Sequence, residues 1–162
     1  MQPSVSIRTT LSPGDLGAIV SMHGILYARE HGFDATFEAY VAGPLADFVR
    51  AGSQRECLWI AERGGQIVGS VAIVAAATDV AQLRWFLVDP TVRGVGLGKQ
   101  LLDAAIAFSQ QHGYRSIILW TVSALTTAAH LYGRAGFTKT ESHPRRLWSV
   151  DVVEEKYERG LG

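Results

Sequence analysis

The first part of the chain spaces its apolar residues as amphipathic helices do, after one short strand. We predict a strand at Val5–Arg8 and a helix over Ser12–Arg29, with Ser12 as the candidate N-cap. The apolar face predicted for this helix consists of Leu16, Ile19, Val20, Ile25 and Leu26. A second helix is predicted over Ala35–Val49, and Gly43-Pro44 should kink or split it.

The middle of the chain is rich in β-branched and aromatic residues and predicts an antiparallel meander. Two such runs, Cys57–Arg63 and Gln66–Ala77, flank Gly64-Gly65, which is a strong signal for a β-hairpin. A third run, Val80–Val88, continues the meander. Helical and strand periods then alternate, which indicates an α/β protein.

The second half of the chain predicts two helices and three strands. A helix over Gly96–His112 has a core-facing stripe, and an almost wholly apolar strand follows at Ser116–Thr121. A shorter helix is predicted over Thr126–Ala135. Two closing strands, Phe137–Thr140 and Leu147–Val153, are expected on either side of His143-Pro144. We expect one domain over residues 1–162, because no linker or repeat interrupts these elements.

Composition narrows the class of protein. The 162 residues are 48% hydrophobic, which is enough for a sizeable core, and fifteen basic residues balance fifteen acidic ones. The single cysteine, Cys57, excludes an internal disulfide framework, and Cys and His do not cluster at metal-ligand spacing. No signal peptide or membrane span is recognisable. We expect a soluble cytoplasmic protein that binds no metal, nucleic acid or membrane.

The segment Arg93–Lys99 carries the clearest chemistry of the chain. It follows a predicted strand and opens a predicted helix, whose first N–H groups lack partners and carry partial positive charge. Three glycines at alternate positions let an oxyanion approach the backbone, and the flanking Arg93 and Lys99 add two charges. A diphosphate site is therefore predicted. A dinucleotide-binding fold is the competing interpretation, but its fingerprint requires glycine where this chain has Lys99.

Two motifs in order carry a family resemblance. Leu87-Val88-Asp89-Pro90 leads into Arg93–Gly98, which matches Arg/Gln-x-x-Gly-x-Gly/Ala, and Ala128–Phe137 matches Ala-x-x-x-Tyr-x-x-x-Gly-Phe. With both, the chain resembles the GNAT N-acetyltransferase superfamily over essentially its whole length. The segment His23–Glu30 also resembles the acetyltransferase half of bacterial proteins that fuse a MarR-type DNA-binding domain to a GNAT domain.

The resemblance implies a fold and a co-substrate. The GNAT fold is a mixed α/β arrangement, in which a central sheet of about seven strands has helices on both faces and splays between the strands before and after the glycine loop. Acetyl-CoA is the implied co-substrate, without a metal, and relatives are often dimers, so a homodimer is allowed. The residues expected to bind acetyl-CoA are Phe86, Leu87, Val88, Arg93, Gly94, Val95, Gly96, Leu97, Gly98, Lys99, Ala128 and Tyr132.

The resemblance also suggests catalytic and acceptor residues. Tyr132 takes the position of a general acid that protonates the departing thiolate. His23, Tyr27 and Glu30 form one stripe of the first helix, which is either a solvated polar face or the wall of the acceptor pocket. An aromatic ring beside a carboxylate would suit a cationic amine, and Glu30 is the candidate base, with His23 as a second candidate acting through water.

Two departures from the family pattern weaken this assignment. Leu125 stands where many members have Asn, and the strand Gln82–Val88 has no carboxylate to serve as base. We expect direct acetyl transfer to a primary amine of a small molecule or peptide, with Tyr132 and Glu30 as catalytic residues. A non-catalytic acyl-CoA sensor is the alternative.

Overall fold

The computed structural model describes residues 3–162, which form one twisted sheet with helices on both faces. Seven strands are seen in this range: β1 (Ser6–Arg8), β2 (Cys57–Arg63), β3 (Gln66–Ala75), β4 (Val80–Val88), β5 (Ser116–Val122), β6 (Thr138–Leu147) and β7 (Val150–Gly160). The helices are α1 (Asp15–His31), α2 (Ala35–Ala51), α3 (Leu97–Gln111) and α4 (Thr126–Arg134). The expected order of strands and helices is confirmed, and a 3₁₀ turn at Pro90–Val92 precedes the glycine loop.

The strands lie in the order β1-β2-β3-β4-β5-β7-β6, and only β4 and β5 are parallel among the described pairs. The parallel pairing covers just Val80–Gln82 against Ser116–Ile118. Beyond it β5 continues beside β7, while the rest of β4 has no strand on that side. The predicted splay is therefore present, and it opens a cleft in the middle of the sheet.

The sheet is packed on both faces, as the apolar strand at β5 predicted. One core forms between the sheet and α3, around fully buried Leu101, Leu102 and Ile117. The other forms under α1 and α2, around Ile19, Leu45 and Ile60. The cleft runs between these two cores.

A bulge bends β4 at the cleft. Ser70 of β3 lies opposite Leu87, and Ala72 lies opposite Arg84, so that one residue of β3 faces two of β4. Trp85 takes a left-handed backbone conformation there, with φ of 49°, and its carbonyl accepts a 2.7 Å hydrogen bond from the buried Ser70 hydroxyl. The bulge turns both Arg84 and Trp85 toward the cleft.

Two local predictions about the helices were wrong, and of the two outcomes expected at Gly43-Pro44 the split did not occur. The N-cap of α1 is Gly14, not Ser12, and the Ser12 N–H donates to the Asp15 carboxylate at 2.7 Å. Leu16 and Ile25, which were predicted on the apolar face of α1, are exposed, whereas His23 is buried with Ile19 and Leu26. Pro44 does not split α2, which runs through it while its buried neighbours hold the helix against the sheet.

The closing hairpin also differs from the prediction. His143-Pro144 lies inside β6 and does not separate two strands. Proline is tolerated there because β6 is the edge strand of the sheet, so on its outer side there is no further strand that would need the missing N–H as a donor. The turn comes instead at Trp148-Ser149, where both residues have positive φ, as a two-residue hairpin of this kind requires.

Candidate active site

The cleft between β4 and β5 has a volume of about 870 Å³, within the range of small-molecule sites. Every residue predicted to contact acetyl-CoA lines it except Val95, whose side chain is 73% exposed. His23, Tyr27 and Glu30 line it as well. The structure thus brings the two predicted halves of the site, the glycine loop and the first helix, into one space.

The glycine loop has the form that an anion site requires. Gly94 and Gly96 have φ of 83° and 84°, and no heavy atom lies within 4 Å of where a side chain would begin at either residue. Gly96 caps α3 without any side-chain hydrogen bond, so the first N–H groups of the helix are left open. The positive end of α3 therefore faces the cleft.

Gly98 lines the cleft and also has a packing role that was not predicted. A Cβ at this position would lie 3.0 Å from the Leu131 methyl carbon of α4 and 3.7 Å from the Phe86 ring. This glycine lets α4 pack closely against the start of α3. It therefore positions Tyr132, one residue further along α4, and does not simply open the backbone to a ligand.

The two predicted phosphate cations are already paired within the protein. The Arg93 guanidinium donates to both carboxylate oxygens of Glu30, at 2.9 and 3.3 Å, and its Nε donates to the Val88 carbonyl at 3.1 Å. Lys99 pairs with Asp103 one turn along α3, at 2.6 Å. Glu30 is thus not a free carboxylate, because both of its oxygens accept from Arg93.

Tyr132 lies at the back of the cleft with its ring buried. The ring contacts Phe86, Phe137 and Tyr157, with centroids 6.0, 5.8 and 5.6 Å away. Burial raises the pKa of the Tyr132 phenol well above its usual value of 10, with smaller contributions from Tyr27 and Tyr157. The phenol is therefore protonated at neutral pH and can donate a hydrogen bond.

His23 is buried, so the stripe of His23, Tyr27 and Glu30 is not a solvated polar face. Its side chain is 3% exposed, and its Nδ1 lies 2.8 Å from the Ile19 carbonyl. Since a carbonyl only accepts, Nδ1 carries the proton and Nε2 presents a lone pair, for which residues 3–162 offer no partner. Burial lowers the pKa of His23 to about 4, so the ring is neutral at pH 7.

Tyr27 lies between His23 and the aromatic residues of α2. Its ring stacks on His23 at 6.1 Å and packs against Phe37 at 4.7 Å. Burial, helped by the Glu30 carboxylate and opposed by Arg93, raises the pKa of Tyr27 to about 12. Tyr27 is therefore a neutral wall of the cleft at physiological pH.

Several polar groups that line the cleft were not predicted from the sequence. Arg84, the Trp85 indole N–H and the Thr121 hydroxyl all belong to lining residues, and the last two are buried without a hydrogen-bond partner in the described range. The available signal was a single arginine inside an otherwise apolar strand, Leu83–Val88. That signal identifies no ligand until the bulge shows which way the side chain turns.

The described residues give little support to catalysis by Cys57 or to a metal site. Cys57 lies outside the cleft lining, and burial raises the pKa of its thiol to about 11, away from nucleophilic use. Within residues 3–162, no group of three or more His, Cys, Asp or Glu side chains is arranged to hold a metal ion. None of the helices in that range has an apolar stretch of membrane-spanning length.

Comparison with known proteins assigns the family. Residues 24–137, which include the second half of α1, the split strands and both motifs, match the acetyltransferase (GNAT) family. The chain belongs to the GNAT family. Solved GNAT structures share its fold: an N-acetyltransferase from Staphylococcus aureus Mu50 has a TM-score of 0.81, covers 98% of this chain and 99% of its own, and is 17% identical. The seven-stranded GNAT fold expected from the sequence is confirmed.

Curated relatives match this GNAT chain over different lengths. It is 35% identical over 91 residues to the mycothiol acetyltransferase of Cellulomonas flavigena, covering 50% of this chain and 26% of that protein. It is 31% identical over 147 residues to an uncharacterized N-acetyltransferase of Schizosaccharomyces pombe, covering 88% and 89%. The chain spans about half of the length, or less, of the first curated relatives it matches. Neither named relative is a MarR–GNAT fusion, so that closer likeness is unconfirmed.

Proposed function

We propose that this GNAT chain transfers the acetyl group of acetyl-CoA to a primary amine of a small molecule or peptide. The observation that carries the proposal is one cleft that joins the uncapped N-terminus of α3, the open edge of β4 and the buried phenol of Tyr132. A helix N-terminus with open glycines binds a diphosphate, and an open strand edge binds amides in extended form.

In this proposal the donor lies along β4. The CoA pyrophosphate binds the glycine loop from Gly94 to Lys99, and the pantetheine amides pair with the backbone of Phe86–Val88. A backbone N–H near Leu87 or Val88 polarises the thioester carbonyl as negative charge develops on its oxygen. Tyr132 donates its hydroxyl hydrogen to the thiolate as the C–S bond breaks. Ala128 lies one turn before Tyr132, on the same wall of the cleft.

The amine attacks directly in a ternary complex, since Cys57 lies outside the cleft and carries a raised pKa. For an amine of lysine-like pKa, about 10.4, loss of the proton at pH 7 costs about 4.6 kcal/mol. Glu30 supports this step poorly because its carboxylate holds Arg93. The neutral His23 presents its Nε2 lone pair to an amine N–H and is the better-placed acceptor.

The remaining expectations belong to the same proposal. They are one acetyltransferase domain over residues 1–162 (of which Met1 and Gln2 lie outside the described range), a cytoplasmic location, a homodimer and no bound metal or nucleic acid. The likeness of the His23–Glu30 segment to the MarR–GNAT fusions is also part of it.

Thiol release from acetyl-CoA tests the proposal. The purified chain is incubated with acetyl-CoA and a panel of amines, and CoA binding is measured by calorimetry. Gly96→Asp should abolish CoA binding, because it places a carboxylate where the pyrophosphate lies. Gly65→Asp is the matched control, since Gly65 also has positive φ (80°) and open space but lies in the β2–β3 turn. Equal binding by both variants, or stabilisation by NADH but not CoA, would refute the donor assignment. Tight CoA binding without acceptor-dependent release would indicate a sensor.

A further inference from the structure

One part of the cleft lining is an aromatic wall. We use this name for four lining residues: Phe33, Phe37, Tyr40 and Trp148. The ring centroids of the first three lie 4.8, 4.9 and 5.4 Å from that of Trp148. Such a wall binds an apolar or aromatic side group.

Arg84 lies beside this wall and is a cation without a counter-charge. Its guanidinium carbon lies 5.6 Å from the centroid of the Tyr40 ring and 5.1 Å from that of the Trp85 ring. Within residues 3–162 it makes no ion pair, and none of its N–H groups donates a hydrogen bond. The side chain is partly buried, so its charge is incompletely screened by solvent.

The carboxylates that line the cleft are all engaged with other cations. Glu30 pairs with Arg93, Asp103 with Lys99, and Glu154 with Arg145 at 2.9 Å. Among the described lining residues, therefore, no carboxylate is left to hold a cationic ammonium group. The earlier expectation that Tyr27 and Glu30 would attract such a group is not supported by this arrangement. The charge left over in the cleft is positive.

A second donor lies next to Arg84. The Trp85 side chain is 7% exposed, and its indole N–H is buried without an acceptor among residues 3–162. A buried donor left unpaired is unfavourable, so a partner supplied by a ligand would be favourable. A guanidinium and an indole N–H on adjacent residues of the bulge together suit one singly charged oxyanion.

We infer that the acceptor is a primary amine that also carries a carboxylate and an apolar side group, as an amino acid with an aromatic or aliphatic side chain does. The carboxylate binds the Arg84 guanidinium and the Trp85 indole N–H, and the side group packs on the aromatic wall. This inference rests on the proposed acetyl transfer, because it names the substrate of the same cleft.

Matched acceptors test the role of the carboxylate. Phenylalanine, its amide and 2-phenylethylamine share the amine and the aromatic ring, but only phenylalanine has the carboxylate. With the wild-type chain, kcat/KM for phenylalanine should exceed that for the other two by roughly 10- to 100-fold, the range for a charged hydrogen-bonded pair. Equal or faster reaction of the two analogues that lack the carboxylate would overturn the inference while leaving acetyl transfer intact.

Substitution of Arg84 tests the contact itself. Arg84→Met should lower kcat/KM for phenylalanine by the same factor, leave the two analogues within threefold, and leave the KM of acetyl-CoA unchanged. Arg29→Met is the control, because Arg29 is exposed, unpaired in the described range and outside the cleft lining. An equal loss with all three acceptors would show that Arg84 acts on the fold and not on the carboxylate.

Product binding keeps the inference testable if none of these amines is acetylated. With CoA present, N-acetylphenylalanine should raise the melting temperature of the wild-type chain but not that of Arg84→Met. If the wild-type chain does not bind CoA, the proposed function itself is refuted. CoA binding without any shift from the acetylated product would refute the carboxylate site alone.

Discussion

The ion pair between Glu30 and Arg93 leads to a quantitative prediction about the base. Glu30→Gln removes the charge and keeps the size of the side chain. The two side chains are 34% and 44% exposed, so solvent screens the pair and its contribution to stability is about 0.2–1 kcal/mol. A change of about 0.2–1 kcal/mol in the free energy that positions Arg93 would change the KM of acetyl-CoA, which Arg93 is proposed to help bind, by at most about fivefold. We expect kcat to stay within threefold of the wild-type value, because the paired carboxylate does not take the proton of the amine.

Steady-state thiol release over pH 6–9 measures both constants. Asp103→Asn is the matched control, since it breaks the Lys99–Asp103 pair on the other side of the same loop and removes no candidate base. General bases contribute roughly 100- to 10,000-fold to rate. A fall in kcat of that size for Glu30→Gln alone, with loss of the acidic limb of the pH profile, would show that Glu30 is the base and that our reasoning is wrong.

Three further predictions concern Tyr132, His23 and Trp148. Tyr132→Phe should lower kcat about 100-fold with little change in the KM of acetyl-CoA, and an unchanged kcat would remove the general acid. His23 is buried, and its pKa is lowered from 6.5 to about 4. At pH values between 4 and 6.5, therefore, the unfolded chain binds a proton at His23 and the folded chain does not. The free energy of unfolding should therefore fall by about 3 kcal/mol from pH 6.5 to 4, as measured in urea. That part of the slope should be absent in His23→Gln; its persistence there would refute the assignment. Trp148→Gly should raise the KM of the acceptor about tenfold and not that of acetyl-CoA; equal changes in both would contradict the division of the cleft.

The form of the glycine loop could be predicted because its determinants are local in sequence. The glycines, the strand before them and the helix after them lie within one short segment, and helix-end chemistry acts over a single turn. Even there the role of Gly98 was hidden. Its close contact with Leu131 joins two helices that the sequence separates, so only the fold shows it.

The acceptor half could not be predicted, because it depends on contacts between distant residues. Glu30 and Arg93 are 63 positions apart, and their pairing changes Glu30 from a candidate base into a holder of the guanidinium. Arg84 carries no motif, and the bulge that turns it into the cleft depends on the register between β3 and β4. The strand prediction at Pro144 was wrong because proline breaks a central strand but is tolerated in an edge strand, and the sequence does not show which strand is at the edge.

The β6–β7 turn holds Trp148 in place independently of the glycine loop. Trp148 completes the aromatic wall from a two-residue turn, which is fastened to the start of α2 because the Asp34 N–H donates to the Trp148 carbonyl and the Ser149 hydroxyl donates to the Asp34 carboxylate. None of these groups lies on the glycine loop or on β4. If the aromatic wall binds the acceptor as proposed, substitutions in this turn should change the choice of amine and leave the proposed acetyl-CoA site intact.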